Sequence, residues 1–357
     1  MISITIIAAA FFGTLLALLV LLPLAPGWRL MDHPGGRKDH LGTTPVVGGI
    51  SIALVFIAAL FYVQPNAWWV AALSVLTLLI LGVIDDIRDL APSSKLLAQV
   101  GVVLLMYYLA DMRLTTVGNL VGFGPIGTWF LAPVVTVFAV IGVINAINMA
   151  DGIDGHAGFI SLIAFSAYAY VARESALWDQ YKLLLALVGS VSAFLFLNAR
   201  TPWLKRAKTF LGDAGSMVLG FLIAWFAVDL THGTGRTFSP ICALWVVVIP
   251  LSDCVSLMIR RRLGGGHIFA ADRQHLHHYL LARGLSVGQA TMATAAASLV
   301  CATIALVGWK LHVPESAMFA GFISFFIAYH LHISRAFRDA SDRKPAAERV
   351  PAEMPLG

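Results

Sequence analysis

Eleven stretches of about 20 mostly apolar residues follow one another along this 357-residue chain, beginning near residues 2, 46, 67, 96, 130, 158, 181, 214, 240, 290 and 315. That length is what an α-helix needs to cross the hydrocarbon core of a bilayer. Lipid offers no hydrogen bonds to a peptide group, so a segment of this kind must satisfy its own backbone, which it does as a helix. The sequence therefore predicts an all-α, polytopic integral membrane protein with about eleven transmembrane helices. Composition agrees: 59% of residues are hydrophobic and 12% charged, with a mean hydropathy of +0.83, outside the range of soluble domains. Residues 1–335 read as one transmembrane domain whose short loops leave no room for a soluble one. The Ala-, Pro- and charge-rich residues 336–357 read as a disordered tail.

Charge sets the orientation. The first basic residue is Arg29, so the N-terminal stretch lacks the basic flank of a cleaved signal peptide and reads as a first span with its N-terminus outside. The inner segments would then be 27–45, 85–95, 149–157, 199–213, 260–289 and 335–357, which hold 19 of the 24 Lys and Arg residues. Basic residues concentrate on the cytoplasmic side of membrane proteins, so the C-terminus is expected there. The net charge of +5 fits inner loops facing anionic lipid headgroups, and no nucleic-acid partner is read from it. Cys242, Cys254 and Cys301 lie inside apolar stretches without metal-ligand spacing and read as packing residues.

Six acids fall in or beside three of those inner loops: Asp85, Asp86 and Asp89; Asp151 and Asp154; and Asp213. Carboxylates near hydrocarbon are costly, and crowding them at one face calls for a compensating cation. Asp85 and Asp86 end an apolar span at the depth of a lipid headgroup. A solvated helix end would look the same, and similar acidic strings occur in soluble prenyl-diphosphate enzymes. The stretch Asn145-Ala-Ile-Asn148-Met-Ala-Asp151-Gly-Ile-Asp154-Gly is more specific. Asn145, Asn148 and Asp151 recur once per helical turn, a polar stripe descending to a glycine-hinged loop. Counting twelve residues from Asp151 reaches Leu162, which excludes an EF-hand. In Gly212-Asp213-Ala-Gly215-Ser216, small residues let backbone amides approach a phosphate at a helix N-terminus while the carboxylate holds a metal; an N-cap without ligand is the alternative. Lys95 is placed to neutralise the acidic pair, to bind phosphate, or merely to snorkel.

The string Asp272-Arg273-Gln-His275-Leu-His277-His278 supplies cationic and imidazole donors suited to a diphosphate, with a zinc site as the weaker alternative. Asp272 is expected to cap a helix running to Arg283, Gly284 to end it, and Ser286 with Gln289 to form the capping box of the next helix. The segment Asp111–Trp129 is read as a short hairpin or a re-entrant turn. No lysine follows a glycine, so there is no P-loop, and ATP-driven transport is disfavoured. A proton-coupled transporter would favour Asp253, an acid within an apolar run, but the other acids gather at one face rather than along a midplane path.

Together with Asp32-His-Pro-Gly-Gly-Arg37-Lys38 and Pro45-Val-Val-Gly-Gly49, these motifs resemble, in order and over most of the chain, the polyprenyl-phosphate N-acetylhexosamine-1-phosphate transferase family. The Ser239–Trp245 and Ile249–Asp253 segments and the His string are most similar to its members that use UDP-N-acetylglucosamine and undecaprenyl phosphate. The muramoyl-pentapeptide branch ranks second. The resemblance implies an enzyme of the bacterial inner membrane, with a periplasmic N-terminus and a cytoplasmic active site, that transfers a sugar-1-phosphate from a UDP-N-acetylhexosamine to polyprenyl phosphate and releases UMP. It implies Mg²⁺, or Mn²⁺ in its place, with Asp213 and Asn148 as ligands. Asp85 and Asp86 are implied near the lipid phosphate, Asp151 and Asp154 as the second acidic motif serving nucleotide placement or nucleophilic attack, and Arg273, His275, His277 and His278 as the phosphate-binding loop; Lys95 and Asn145 are read beside them as substrate-binding candidates.

Overall fold

A computed structural model describes residues 2–32, 42–232, 237–263 and 274–342. After α1 (Ile2–Leu21), a two-residue antiparallel pair, β1 (Met31–Asp32) with β2 (Thr44–Pro45), leads into α2 (Gly48–Val63). Then come α3 (Trp68–Arg88), α4 (Pro92–Leu109), a single 3₁₀ turn at Trp129–Leu131, α5 (Ala132–Ala150), α6 (His156–Glu174), α7 (Trp178–Asn198) and α8 (Gly212–Thr231). The chain continues through α9 (Pro240–Val246), α10 (Val248–Leu263), α11 (Leu276–Ala282), α12 (Val287–Lys310) and α13 (Glu315–Asp342). The molecule is nearly all-α, as expected.

Each of the eleven apolar stretches contains a helix, but fewer meet the requirement for crossing a membrane. Among the described residues eight helices are long and apolar enough, and α9 with α10, bent by 82° at Val247, make a ninth if counted together. Two stretches fall short for physical reasons. The α2 helix has only 16 residues, and the 19 residues of α6 include His156, Arg173 and Glu174 at its ends. Ser3 meets the Tyr181 hydroxyl at 3.1 Å at one end of the bundle, whereas His332 of α13 meets Tyr279 of α11 at 3.0 Å at the other.

The most enclosed helix is α8; α1, α4 and α13 leave most of their surface outward, as lipid-bathed helices do. Small residues let α8 approach its neighbours by backbone-to-backbone contact. A Cβ on Gly49 would lie 2.2 Å from the Gly215 Cα, and one on Gly82 the same distance from the Ala214 Cα. These contacts draw the start of α8 against α2 and α3, which brings the third acidic motif to the first.

The Asp111–Trp129 segment is a hairpin, with a bridge between Thr116 and Gly127. It is tied to α13 by the Glu315 carboxylate, which accepts from the Asn119 amide and from the Ser239 hydroxyl. The helix of the His motif is shorter than expected: it begins at Leu276, and Asp272 and Arg273 lie outside the described residues. Gly284 has φ +88°, and the Ser286–Gln289 capping box is formed, both as the sequence predicts. Helix α13 extends to Asp342, past residue 335; residues 343–357 of the expected tail lie outside the described residues.

Candidate active site

One end of the bundle gathers the C-terminal ends of α3, α5 and α7 with the N-terminal ends of α4, α6 and α8. Asp86 sits at the start of α8, where its carboxylate accepts from the Asp213 and Ala214 amides at 2.9 and 3.3 Å. Those amides have no partner within the helix, and the positive end of the helix dipole favours the anion. Gly212 permits this approach: its φ is +76°, and a Cβ there would lie 2.6 Å from an Asp86 oxygen.

Asp85, four per cent exposed, uses both oxygens. One accepts from the Leu90 amide at 2.7 Å and the other from Lys95 Nζ at 2.7 Å. The same ammonium lies 3.7 Å from Asp213 Oδ2. Asp213 Oδ1 accepts from the Asn148 amide nitrogen, which also donates to Ser216 at 2.8 Å. The structure thus brings Asp85, Asp86, Lys95, Asn148 and Asp213 together across α3, α4, α5 and α8.

Asn145 sits one turn deeper. It donates to Gln99 Oε1 at 3.2 Å and to its own helix at Ile141 O, so it joins α5 to α4. Asp154 is held by Arg200 Nε at 2.7 Å, and its backbone oxygen accepts from Thr291 of α12. Asn198 accepts from the Gly155 amide at 2.6 Å and donates to Thr209 O at 2.8 Å, binding the second acidic loop to the 199–213 connection. Asp151 stands next to these. Its burial, followed by repulsion from Asp213, Asp86, Asp154 and Asp32, holds its carboxyl well above the usual carboxylate range.

The His motif completes this end. A Cβ on Gly152 would lie 2.4 Å from His277 Nε2, so the absent side chain is the space His277 fills. His277 also packs edge-on against His156, ring centres 5.6 Å apart, and parallel to His275 at 5.4 Å; His278 lies 4.2 Å from His277. Burial, with His156, His278 and His275 as neighbours, pushes the His277 pKa down to about 2, so this ring is neutral and packs. Arg273 lies outside the described residues.

Several residues that build this end carried no recognisable motif. Arg200 and Asn198 close an apolar span in a plain Asn-Ala-Arg sequence. Asp253 was visible only as a stray acid in an apolar run, yet it accepts hydrogen bonds from His275, the Leu276 amide and Tyr329.

Among the described residues no three Asp, Glu, His or Cys side chains already stand in cation-holding geometry. The donor set nevertheless suits a hard divalent cation, because Asp85, Asp86, Asp213 and the Asn148 amide are all oxygen donors. Lys95, shared between Asp85 and Asp213, occupies the place of such a charge.

A multi-helix membrane protein with acidic, amide and imidazole groups gathered at one end has the build of a transferase acting on phosphorylated substrates. Residues 68–231 match the model of Glycosyl transferase family 4. The chain is 37% identical over 337 residues to the undecaprenyl-phosphate alpha-N-acetylglucosaminyl 1-phosphate transferase of Haemophilus influenzae, covering 93% of this chain and 94% of that protein. It is 36% identical to the Pasteurella multocida protein of the same name (92% of each chain) and 33% identical to that of Escherichia coli K12 (97% and 95%). The chain belongs to glycosyl transferase family 4 and is an enzyme of the transferase class, as the motif resemblance implied.

Proposed function

We propose that this protein transfers N-acetylglucosamine-1-phosphate from UDP-N-acetylglucosamine to undecaprenyl phosphate at the cytoplasmic face of the bacterial inner membrane, yielding undecaprenyl-diphosphate-N-acetylglucosamine and UMP. This is the first step of a lipid-linked surface glycan. The observation carrying the reading is the convergence of Asp85, Asp86, Asn148 and Asp213 around one ammonium group, beside the His motif. The names of the full-length relatives supply the acceptor and the sugar, and the 19 inner basic residues supply the sidedness. An eleven-span topology, with α2 and α6 as short or polar spans, belongs to the same proposal.

The reaction exchanges one phosphoanhydride for another, so no ATP is required. An oxygen of the lipid phosphate forms a bond to the β-phosphorus of the nucleotide-sugar, the β-phosphorus–bridging-oxygen bond breaks, and UMP leaves with that oxygen. Mg²⁺, held by Asp213, the Asn148 amide oxygen and the Asp85–Asp86 pair, would supply charge neutralisation on the diphosphate. Asp85 and Asp86, fixed by Lys95, the Leu90 amide and the α8 terminus, orient the lipid phosphate. Asp151, whose carboxyl is held well above the usual carboxylate range by burial, accepts the proton on the lipid phosphate. Asp154, fixed by Arg200, sets the loop; Arg273, His275 and His278 would bind phosphate, and Asn145 supports the helix that carries Asn148.

Purified protein in detergent, given UDP-N-acetylglucosamine, undecaprenyl phosphate and Mg²⁺, is expected to release UMP. Turnover of UDP-N-acetylgalactosamine or UDP-MurNAc-pentapeptide instead would reassign the donor, and no transfer from any of them would sink the reading. UMP release or exchange without lipid would show a covalent route through an aspartate, whereas direct attack requires both substrates. A transporter would need a sealed compartment to show activity; this protein is expected to need none.

A further inference from the structure

We propose that Asp253 is a positioning residue for His275, and that Tyr329 of the last helix holds Asp253 in that task. This rests on the phosphate-binding role of the His motif given above.

Asp253 lies in α10, and its side chain and that of His275 are each nine per cent exposed. Its Oδ2 accepts from His275 Nδ1 at 2.9 Å. Its Oδ1 accepts from the Leu276 amide at 2.9 Å and from the Tyr329 hydroxyl at 2.8 Å. One carboxylate thus fixes three things: the imidazole, the first amide of α11, and the cytoplasmic-end segment of α13.

The surroundings are arranged to hold this geometry. Arg260, two turns further along α10, donates to Gln274 O at 2.6 Å and lies over the Phe337 ring. His330 meets Ser256 at 2.9 Å. The segment entering α11 is therefore gripped on both sides of His275, by Arg260 before it and Asp253 at and after it.

An imidazole has two distinct nitrogens, and the partner of one decides the state of the other. A carboxylate on Nδ1 keeps the proton there and orients the ring, leaving Nε2 for a second partner. His275 stacks parallel on His277, which fills the space beside Gly152 next to Asp151. The ring that Asp253 fixes therefore stands one imidazole away from the acidic loop, with its Nε2–H left to donate to a diphosphate oxygen. Asp253 touches no substrate in this arrangement and acts through His275.

The test uses the full-length enzyme and four variants: Asp253→Asn, Tyr329→Phe, His275→Gln, and the Asp253→Asn/His275→Gln double variant. Asparagine keeps an oxygen for Leu276 and Tyr329 but presents an N–H₂ to Nδ1. We expect Asp253→Asn to lower kcat about 10- to 100-fold, the range for partners that orient a functional histidine, and Tyr329→Phe to lower it about 2- to 10-fold, as loss of one hydrogen bond does. The double variant is expected to be no slower than His275→Gln alone. Nitrogen-15 spectra of histidine-labelled protein, with His275 assigned by its loss in His275→Gln, are expected to show a protonated Nδ1 in wild type. That proton is expected to move in Asp253→Asn.

Multiplicative losses in the double variant, or an unprotonated His275 Nδ1 in wild type, would overturn the inference. Should Asp253→Asn fail to fold, the wild-type spectrum and the Tyr329→Phe rate still decide. A wild type that makes no UMP from UDP-N-acetylglucosamine and undecaprenyl phosphate sinks the functional reading instead, while the spectra continue to test the Asp253–His275 pair.

Discussion

Replacing Lys95 with methionine removes the ammonium that lies between Asp85 and Asp213. The Asp85 side chain is one per cent exposed, and without Lys95 it loses its cationic partner while keeping the Leu90 amide as a donor. Removing one member of a buried ion pair costs about 3–5 kcal/mol, because the remaining charge is buried without compensation. At about 2 °C per kcal/mol for a large chain, Lys95→Met is expected to melt on the order of 6–10 °C below wild type in chelator. A divalent cation held by Asp85, Asp86, Asp213 and Asn148 would restore the missing charge, so the gap should shrink by more than half when Mg²⁺ is added. Tryptophan-fluorescence melting of detergent-solubilised wild type and variant, with and without Mg²⁺, reads this directly and independently of activity. An equal gap in both conditions would refute the assignment of these acids to the metal. A variant as stable as wild type in chelator would refute the energetics of the buried pair.

Further outcomes follow from the same end of the bundle. Because burial holds the Asp151 carboxyl above its ordinary range, its ionisation destabilises the folded state at high pH, and this cost shrinks as pH falls from the raised pKa toward the ordinary carboxylate value; in chelator, Asp151→Asn is expected to melt above wild type at alkaline pH, with the gap closing toward pH 4. His277 is held neutral, with its pKa lowered to about 2, so the wild type is expected to lose stability relative to His277→Phe as pH falls below about 6.5, by up to ~1.4 kcal/mol per pH unit; parallel melting curves from pH 8 to 5 would contradict this. Gly152→Ala places a Cβ 2.4 Å from His277 Nε2 and is expected to cost about 100-fold in kcat by displacing the His motif, with near-normal melting. Gly82→Ala, whose Cβ meets the α8 backbone, is expected to lose about 1–3 kcal/mol of stability, read as a lower melting temperature.

Much of this architecture was legible because lipid imposes a local rule. A stretch of some 20 apolar residues must satisfy its peptide groups within itself, so helix positions could be read from the order of residues alone, and glycine and serine marked the ends at Gly284 and Ser286. The acidic motifs were legible for a related reason: carboxylates beside hydrocarbon are costly enough to stand out. Which helices cross the bilayer was less legible, since the shortness of α2 and the bend at Val247 depend on how the bundle closes.

The partners within the site belong to tertiary structure. Nothing in the order of residues says that Asp86 caps α8 rather than facing solvent, since that contact spans 127 positions and depends on Gly49, Gly82 and Gly215 allowing the helices to touch. Asp85 and Asp86 are neighbours with different partners, one on Lys95 and the other on a helix terminus. Asn145 and Asn148 share a stripe, yet one reaches Gln99 and the other Asp213. Asp253 gives the same lesson at its sharpest: in the sequence it is an isolated acid in an apolar run, and in the fold it joins α10, α11 and α13. Periodicity and burial cost are properties of a segment and survive in one dimension; the pairing of a charge is a property of the space around it, which only the packed helices define.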